Sequence, residues 1–412
     1  MISAQTYTLA NGLRLVHNHD RNTRFAVVNV LYKVGSRDEE PQHTGMAHLF
    51  EHLMFGGTPT IPDFDGILQS AGGNSNAWTD TDFTNYYDEV PIHNIETALW
   101  LEADRMAMTH FPAKSLEVQR NVVIEEFKER CLNQPYGDVP HIMRNNAFKH
   151  HTYRWPTIGA TPQHIADVNQ ELADKFFNDF YTPSNAVLSV VGDIDFDNLV
   201  KLVEKYFGHI KPSERKVSHY DYDELTGSSI TVNERRDVPH NAIYKYFMMP
   251  GRFDADYVAV DMLTEILASG RSSRFYSNIT GKGRGFSTID SSIIGCIDPG
   301  ALIVNGRLLS GVSFEEGEDI IRQELDSLTN VDVSCTELEK CINKLETNRM
   351  LNLISCTERA YNLAYYTMLG DANLINTEID EYRKLTPAAI KETAKRIFCT
   401  NRCITLHYGP DA

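Results

Sequence analysis

The sequence predicts an α+β protein built from two similar halves, and three observations carry that expectation. Strand-like and helix-like stretches are mixed through the first half without the regular alternation of a βαβ protein. A polar stretch over 211–229 lacks apolar periodicity and reads as a linker. The order of elements seen before the linker begins again after it, which points to an internal duplication. The expected boundaries are an N-terminal domain over 1–212, a linker over 213–228 and a structurally similar C-terminal domain over 229–412.

Taken in order, residues 6–20 alternate apolar and polar side chains around Asn11-Gly12, a strong hairpin signal. Phe25 to Val34 reads as a strand. A helix follows near Thr44 to Phe55 and stops at Gly56-Gly57. Ile95 to Thr109 and Ala113 to Arg130 have helical spacing, and Asn185 to Gly192 is a buried-strand run. Beyond the linker come a strand (238–249), a helix (257–268), a strand (301–308), two helices (312–329 and 336–350) and a closing strand (402–408).

Composition narrows the function classes. The chain has 412 residues, 42% hydrophobic and 23% charged, which is the composition of a globular protein with cores to bury. Its 39 basic and 56 acidic side chains give 39 − 56 = −17, a field that repels nucleic acid and anionic lipid, so neither is an expected partner. No run reaches the roughly 18 apolar residues of a membrane span, and the N-terminus lacks the pattern of a secretory leader. A cytoplasmic protein is expected, or a periplasmic one if a leader was removed. The seven cysteines are scattered without a CxxC pair, so neither a disulfide framework nor a cysteine-zinc module is indicated.

The chemistry concentrates in Gly45 to Gly57, which contains His48-x-x-Glu51-His52. At about 100° of turn per residue, the three side chains share an arc of roughly 100° on one helix face. Histidines at i and i+4 chelate zinc, and a neighbouring glutamate can take a proton from water at the metal. The spacing is the inverse of HExxH. Met46, Ala47, Leu49, Phe50, Leu53, Met54 and Phe55 make the helix apolar around these groups, and ionisable groups in such a setting need partners. A catalytic zinc site needs a third ligand. Glu126 is the candidate, because it lies three and four residues after Val123 and Val122 on the inward side of its helix. Glu125 and Glu129 are expected to be solvated.

With these residues in place, the chain resembles the pitrilysin/insulinase zinc peptidases, a family that includes the mitochondrial processing peptidase. His48-Leu-Phe-Glu51-His52 matches the inverted motif, and Asn121-Val-Val-Ile-Glu-Glu126 matches the third-ligand helix. Gly73 to Thr79 with Tyr86-Tyr87, Tyr181 to Asn185 leading into Val191-Gly-Asp193, and Gly270 to Tyr276 extend the match along nearly the whole chain. The resemblance implies two domains, each a mainly antiparallel sheet with helices packed on one face, that form a dimeric chamber with a second chain. It implies a metalloendopeptidase, a hydrolase with one zinc per chain held by His48, His52 and Glu126. Glu51 would take a proton from the attacking water and pass it to the leaving amine. The substrate would be an extended peptide added as a strand along Asn74 to Asp80, at Asn76 and Ala77.

Two positions depart from the family pattern. Gln119, seven residues before Glu126 on the same helix face, stands where many members carry an acid; it hydrogen-bonds without charge. In the C-terminal half, members present an arginine and a tyrosine that bind substrate and stabilise the oxyanion. Here the tyrosine position is Phe286, which has no phenol, and the arginine position falls near Thr280, with Arg284 close by. A preorganised donor of this kind is worth about 3 kcal/mol. The expected assembly is therefore a heterodimer with a related subunit supplying the arginine and tyrosine. A homodimer using Arg284 is the alternative within the class, and a non-catalytic scaffold or peptide-binding subunit is the alternative outside it.

Overall fold

The computed structural model describes residues 1–108, 110–212, 220–295 and 297–411. Residues 213–219 of the expected linker, Thr109 at the expected end of one helix and Cys296 lie outside the described residues. Two sheets organise the chain. The first contains β1 (Gln5–Thr8), β2 (Arg14–His19), β3 (Phe25–Tyr32), β4 (Asn74–Thr79), β5 (Thr84–Pro91) and β6 (Ala186–Gly192), in the order β1-β2-β6-β3-β5-β4. The second contains β7 (Ile230–Arg236), β8 (Ala242–Met249), β9 (Phe286–Ile294), β10 (Gly300–Leu308) and β11 (Cys403–Pro410), in the order β7-β11-β8-β10-β9.

Setting β1 aside, the two orders are the same when each strand is matched by its place in the chain. The pairing senses match as well. β2 with β6 and β7 with β11 are parallel, and every other pair is antiparallel. The expected duplication is thus a property of the topology, and the fold is α+β with two similar, mainly antiparallel sheets.

Packing divides the chain into two compact units, each assembled from three stretches: 1–128, 155–219 and 349–378 in one, and 129–154, 220–348 and 379–412 in the other. The linear division at the linker follows strand order, whereas the packing units each include a piece of the opposite half. The reason lies in the alternation of side chains along the strands. In the first unit, Ala26, Val28, Val30 and Tyr32 of β3 and Ala186, Leu188 and Val190 of β6 face the main helical layer. The helices there include α1 (Met46–Leu53), α2 (Phe64–Ser70), α3 (Ile95–Met106) and α4 (Ala113–Phe127). The intervening residues Val27, Leu31, Val187 and Val191 are also buried, because the helix Cys356–Leu369 packs along β3 and β6. In the second unit, Ile243, Phe247 and Met249 face the helix Tyr257–Ala268 and its neighbours, while Ala242, Tyr246 and Met248 form a second core with Val139, Met143 and Ala147. Each sheet therefore carries its main helices on one face and a single helix from the other half of the chain on the opposite face.

Candidate metal centre

α1 is a short helix whose start is fixed by a buried side chain. Gly45 precedes it at φ +87°, a left-handed conformation natural to glycine, and a Cβ there would meet the Ile158 carbonyl oxygen at 2.8 Å. The Glu39 carboxylate, 4% exposed, accepts the backbone N–H of Gly45 (2.8 Å) and of Ala47 (2.9 Å), groups that have no partner within the helix. Burial pushes the Glu39 carboxyl well up, and the donors from Ala47, Gly45 and the Trp155 indole pull it the other way. Past the helix, Thr58 and Thr60 donate to Asp104 of α3 at 2.5 and 2.6 Å, anchoring the outgoing loop. Met46, Ala47, Leu49, Phe50 and Leu53 are buried, so the apolar part of α1 is core and His48 and His52 emerge beside it.

α4 packs against α1, with its Leu116 and Val123 buried in the same core as the apolar residues of α1, and Arg120 donates to the carbonyls of Ala166 (3.2 Å) and Val168 (2.7 Å). Directly after Glu126 and Phe127 the helix widens into a π-helical turn over Lys128–Asn133. The result brings three donors together. Glu126 Oε2 lies 3.3 Å from His52 Nε2 and 3.7 Å from His48 Nε2. The two imidazoles stand edge-to-face at 83°, and one ligand atom from each of the three residues falls within 4.8 Å of the others. Two imidazole nitrogens and one carboxylate oxygen at such spacing fit a small divalent ion of the zinc type, with three protein ligands and one side left for solvent. Glu125 and Glu129 are exposed, as their place on the helix predicts.

Glu51 projects from the same helix and is partly exposed. Its charge reaches two buried phenols, Tyr86 and Tyr181, whose hydroxyls lie 3.3 Å apart. Burial is the main cause that holds both phenols well above the usual tyrosine range, and Glu51 adds to it. Beneath them Tyr181 stacks on Phe50 and Phe177, giving the helix a rigid aromatic floor.

β4, the open edge of the first sheet, also packs on α1. Asn76 is exposed and Ala77 half-buried, with Asn76 Oδ1 accepting the Ala77 N–H at 2.8 Å. The structure thus brings His48, His52 and Glu126 together, with Glu51 on the same helix and the strand that carries Asn76 and Ala77 packed on α1. Gln119 is half-buried two turns back from Glu126 on α4. Phe286 corrects its expected place: the ring is 1% exposed within the apolar core of the second unit, so it offers no surface to a peptide. Its neighbour Arg284 is hydrogen-bonded to Gln323. His151 has both ring nitrogens engaged, by Asp298 at 3.2 Å and the Tyr153 N–H at 3.1 Å, which makes it structural. Sequence reasoning missed Glu39, since nothing local marks an acid six residues before a glycine as a helix anchor.

Residues 14–161, which contain the metal-site residues, match the family model described as Insulinase (Peptidase family M16), and residues 167–345 match Peptidase M16 inactive domain. An uncharacterized zinc protease of Mycobacterium bovis is 30% identical over 329 residues, 79% of this chain and 74% of the relative. The chain belongs to peptidase family M16. A second relative, the zinc protease PqqE of Helicobacter pylori, is 28% identical over 415 residues, covering 98% of this chain and 93% of that one. The M16 fold extends over the full length. The crystal structure of a protease from Helicobacter pylori superposes with a TM-score of 0.94 at 27% identity and 100% coverage of both chains. Among the described residues no helix is long and apolar enough to cross a membrane.

Proposed function

We propose that this chain is the zinc-bearing subunit of a metalloendopeptidase that hydrolyses extended peptides. The observation that carries the reading is the convergence of His48, His52 and Glu126 within 4.8 Å, with Glu51 on the same helix. Those three residues would hold one zinc ion, which when bound polarises the scissile carbonyl and acidifies water. Glu51 takes the proton from the attacking water and delivers it to the leaving amine. The buried phenols Tyr86 and Tyr181, hydrogen-bonded to each other at 3.3 Å, are near enough to feel the charge of Glu51. The substrate main chain pairs with the open edge of β4, where the Asn76 carboxamide now covers the Ala77 N–H and gives way to a peptide carbonyl.

The dimeric chamber and the heterodimer belong to the same proposal. Phe286 lacks a hydroxyl and is buried, and Arg284 is held by Gln323, which supports a related partner as the source of the arginine and tyrosine. The test is hydrolysis of quenched, unstructured peptides by the zinc-loaded chain, alone and with a partner of similar length that lacks the metal motif. Glu51→Gln is expected to keep one zinc per chain and lose cleavage, whereas Glu126→Gln loses the zinc itself. Cleavage by the chain alone that vanishes with Glu51→Gln would overturn the need for a partner. Cleavage unaffected by Glu51→Gln would overturn the mechanism, and zinc binding without cleavage under any pairing would favour a scaffold subunit.

A further inference from the structure

We propose that Asp104 on α3 is a positioning residue of the metal centre, which fixes the His52 ligand by holding the hydroxyls of Thr58 and Thr60. The inference rests on the reading of His48, His52 and Glu126 as zinc ligands. α1 has only eight residues, two turns that do not hold their shape without support from the rest of the fold. Its two histidines are not supported alike. The His48 side chain is 10% exposed, so its surroundings fix it, whereas that of His52, in the last turn, is 26% exposed and depends more on where the backbone leaves the helix.

What holds that exit is a loop built around one carboxylate. Thr58 donates its hydroxyl to Asp104 Oδ2 at 2.5 Å and accepts the N–H groups of Thr60 (3.2 Å) and Ile61 (2.8 Å), so its donor and both lone pairs are used. Thr60 donates to Asp104 Oδ1 at 2.6 Å. These lengths are those of hydroxyls on an ionised acceptor. Asp104 has no basic partner among the described residues, and each of its oxygens takes one of the two hydroxyls. The Thr58 N–H closes the loop on the Ile61 carbonyl at 2.8 Å. Gly57 turns at φ +77°, where a Cβ would lie 2.5 Å from the Pro62 carbonyl oxygen. The loop also meets α4, since a Cβ at Gly56 would run into Ser115 Oγ. Asp104 itself stands on a helix in which Leu101, Glu102, Ala103, Arg105 and Met106 are buried. The carboxylate thus ties the exit of α1 to a rigid helix that carries no ligand, beside the start of the one that carries Glu126. Ligands held within a fraction of an ångström are what a metal of fixed geometry requires.

The test reads metal binding and not peptide cleavage. Full-length chains are titrated with zinc against a chelating dye, well below their melting temperatures, and their Co2+ forms are compared by visible absorption. Asp104→Ala is expected to weaken zinc binding about tenfold, the low end for groups that support a ligand. Thr58→Val gives a similar loss, and the two together lose no more than either alone. Thr58→Ser keeps the hydroxyl and binds as the wild type does. Thr60→Val, at an exposed position, gives a smaller loss in the same direction and serves if the buried variants fail to fold. Ser313→Ala, which removes a helix cap in the second unit, lowers stability and leaves zinc affinity unchanged. The assignment to His52 is read in chains with one histidine: Asp104→Ala still weakens zinc binding in the His48→Ala chain and has no effect in the His52→Ala chain. Unchanged affinity and Co2+ spectrum in Asp104→Ala, or a loss that Ser313→Ala reproduces at equal destabilisation, overturns the inference while the zinc reading stands. If the wild-type chain takes up no zinc, or if uptake is indifferent to His48 and His52, both readings fall.

Discussion

Arg105 is fully buried, and it can be because α3 and β5 surround it with matched groups. Its Nε donates to Glu102 Oε2 at 2.8 Å, and its guanidinium lies 4.6 Å from the Phe64 and Tyr86 ring centres. Burial, then the nearby Glu102, holds the Asp88 carboxyl well above its usual range, so the cluster needs only one negative partner for its one cation. Removing the cation leaves a buried carboxylate alone, and Arg105→Met is expected to lower stability by about 3–5 kcal/mol, read by urea denaturation. A second residue-scale prediction concerns pH. The bidentate hydrogen bond from Arg274 (2.9 and 2.8 Å) holds the Glu337 carboxyl below its usual 4.5, so the pair's stabilisation is present above that value and is lost as pH falls through the lowered one. Arg274→Met should therefore weaken the chain near neutral pH and flatten the acid limb of its stability profile. At this scale His48, Glu51 and His52 were legible because the helical period alone puts them on one face. Arg105 was not, because Asp88 reaches it from a strand that sequence spacing cannot pair with α3, and Phe286 was misplaced because one aromatic in a polar run does not announce a core.

Among the elements, α1 depends most on a distant anchor. Glu39→Gln replaces one acceptor oxygen with an N–H2 group facing the Gly45 and Ala47 donors, which leaves a buried donor unpaired at a cost of about 1–3 kcal/mol. The expected outcome is a lower melting temperature and zinc affinity reduced by about tenfold, measured by competition with a chelating dye, since a support beyond the ligands sets their orientation. Unchanged zinc affinity would show that α1 is held by its core face alone. The helix Tyr257–Ala268 was readable to the residue, and β3, β6, β8, β10 and β11 within a few residues, since apolar residues predominate in each. β4 was legible only through the family resemblance. Its polar sequence Asn-Ser-Asn-Ala-Trp-Thr suits an open edge with one wet face and carries no strand signal of its own. The helix Cys356–Leu369 was missed for the opposite reason: its buried side chains answer to a sheet in the other half of the chain.

At the scale of the whole molecule, six stretches alternate between two units, so the chain passes from one to the other five times. Unit one is incomplete without 349–378. A fragment of residues 1–212 would leave Val27, Leu31, Val187 and Val191 uncovered and would lack Ala360, Leu363 and Ala364 opposite them, where each buried leucine-sized side chain contributes about 1.5–3 kcal/mol. Such a fragment is expected to bind a hydrophobic dye and to melt without a sharp transition by calorimetry; a cooperative transition like that of the full chain would show the borrowed helix to be dispensable. The loan also sets an order of events at the ribosome. β6, the last strand of the first sheet, ends at Gly192, whereas the covering helix ends at Leu369, so 369 − 192 = 177 further residues must be made before the sheet can close its second face. At bacterial and eukaryotic elongation rates of about 5–20 residues per second, the nascent chain waits on the order of 10–35 s with an apolar sheet face open. For that interval the growing polypeptide is a natural client for a chaperone at the tunnel exit.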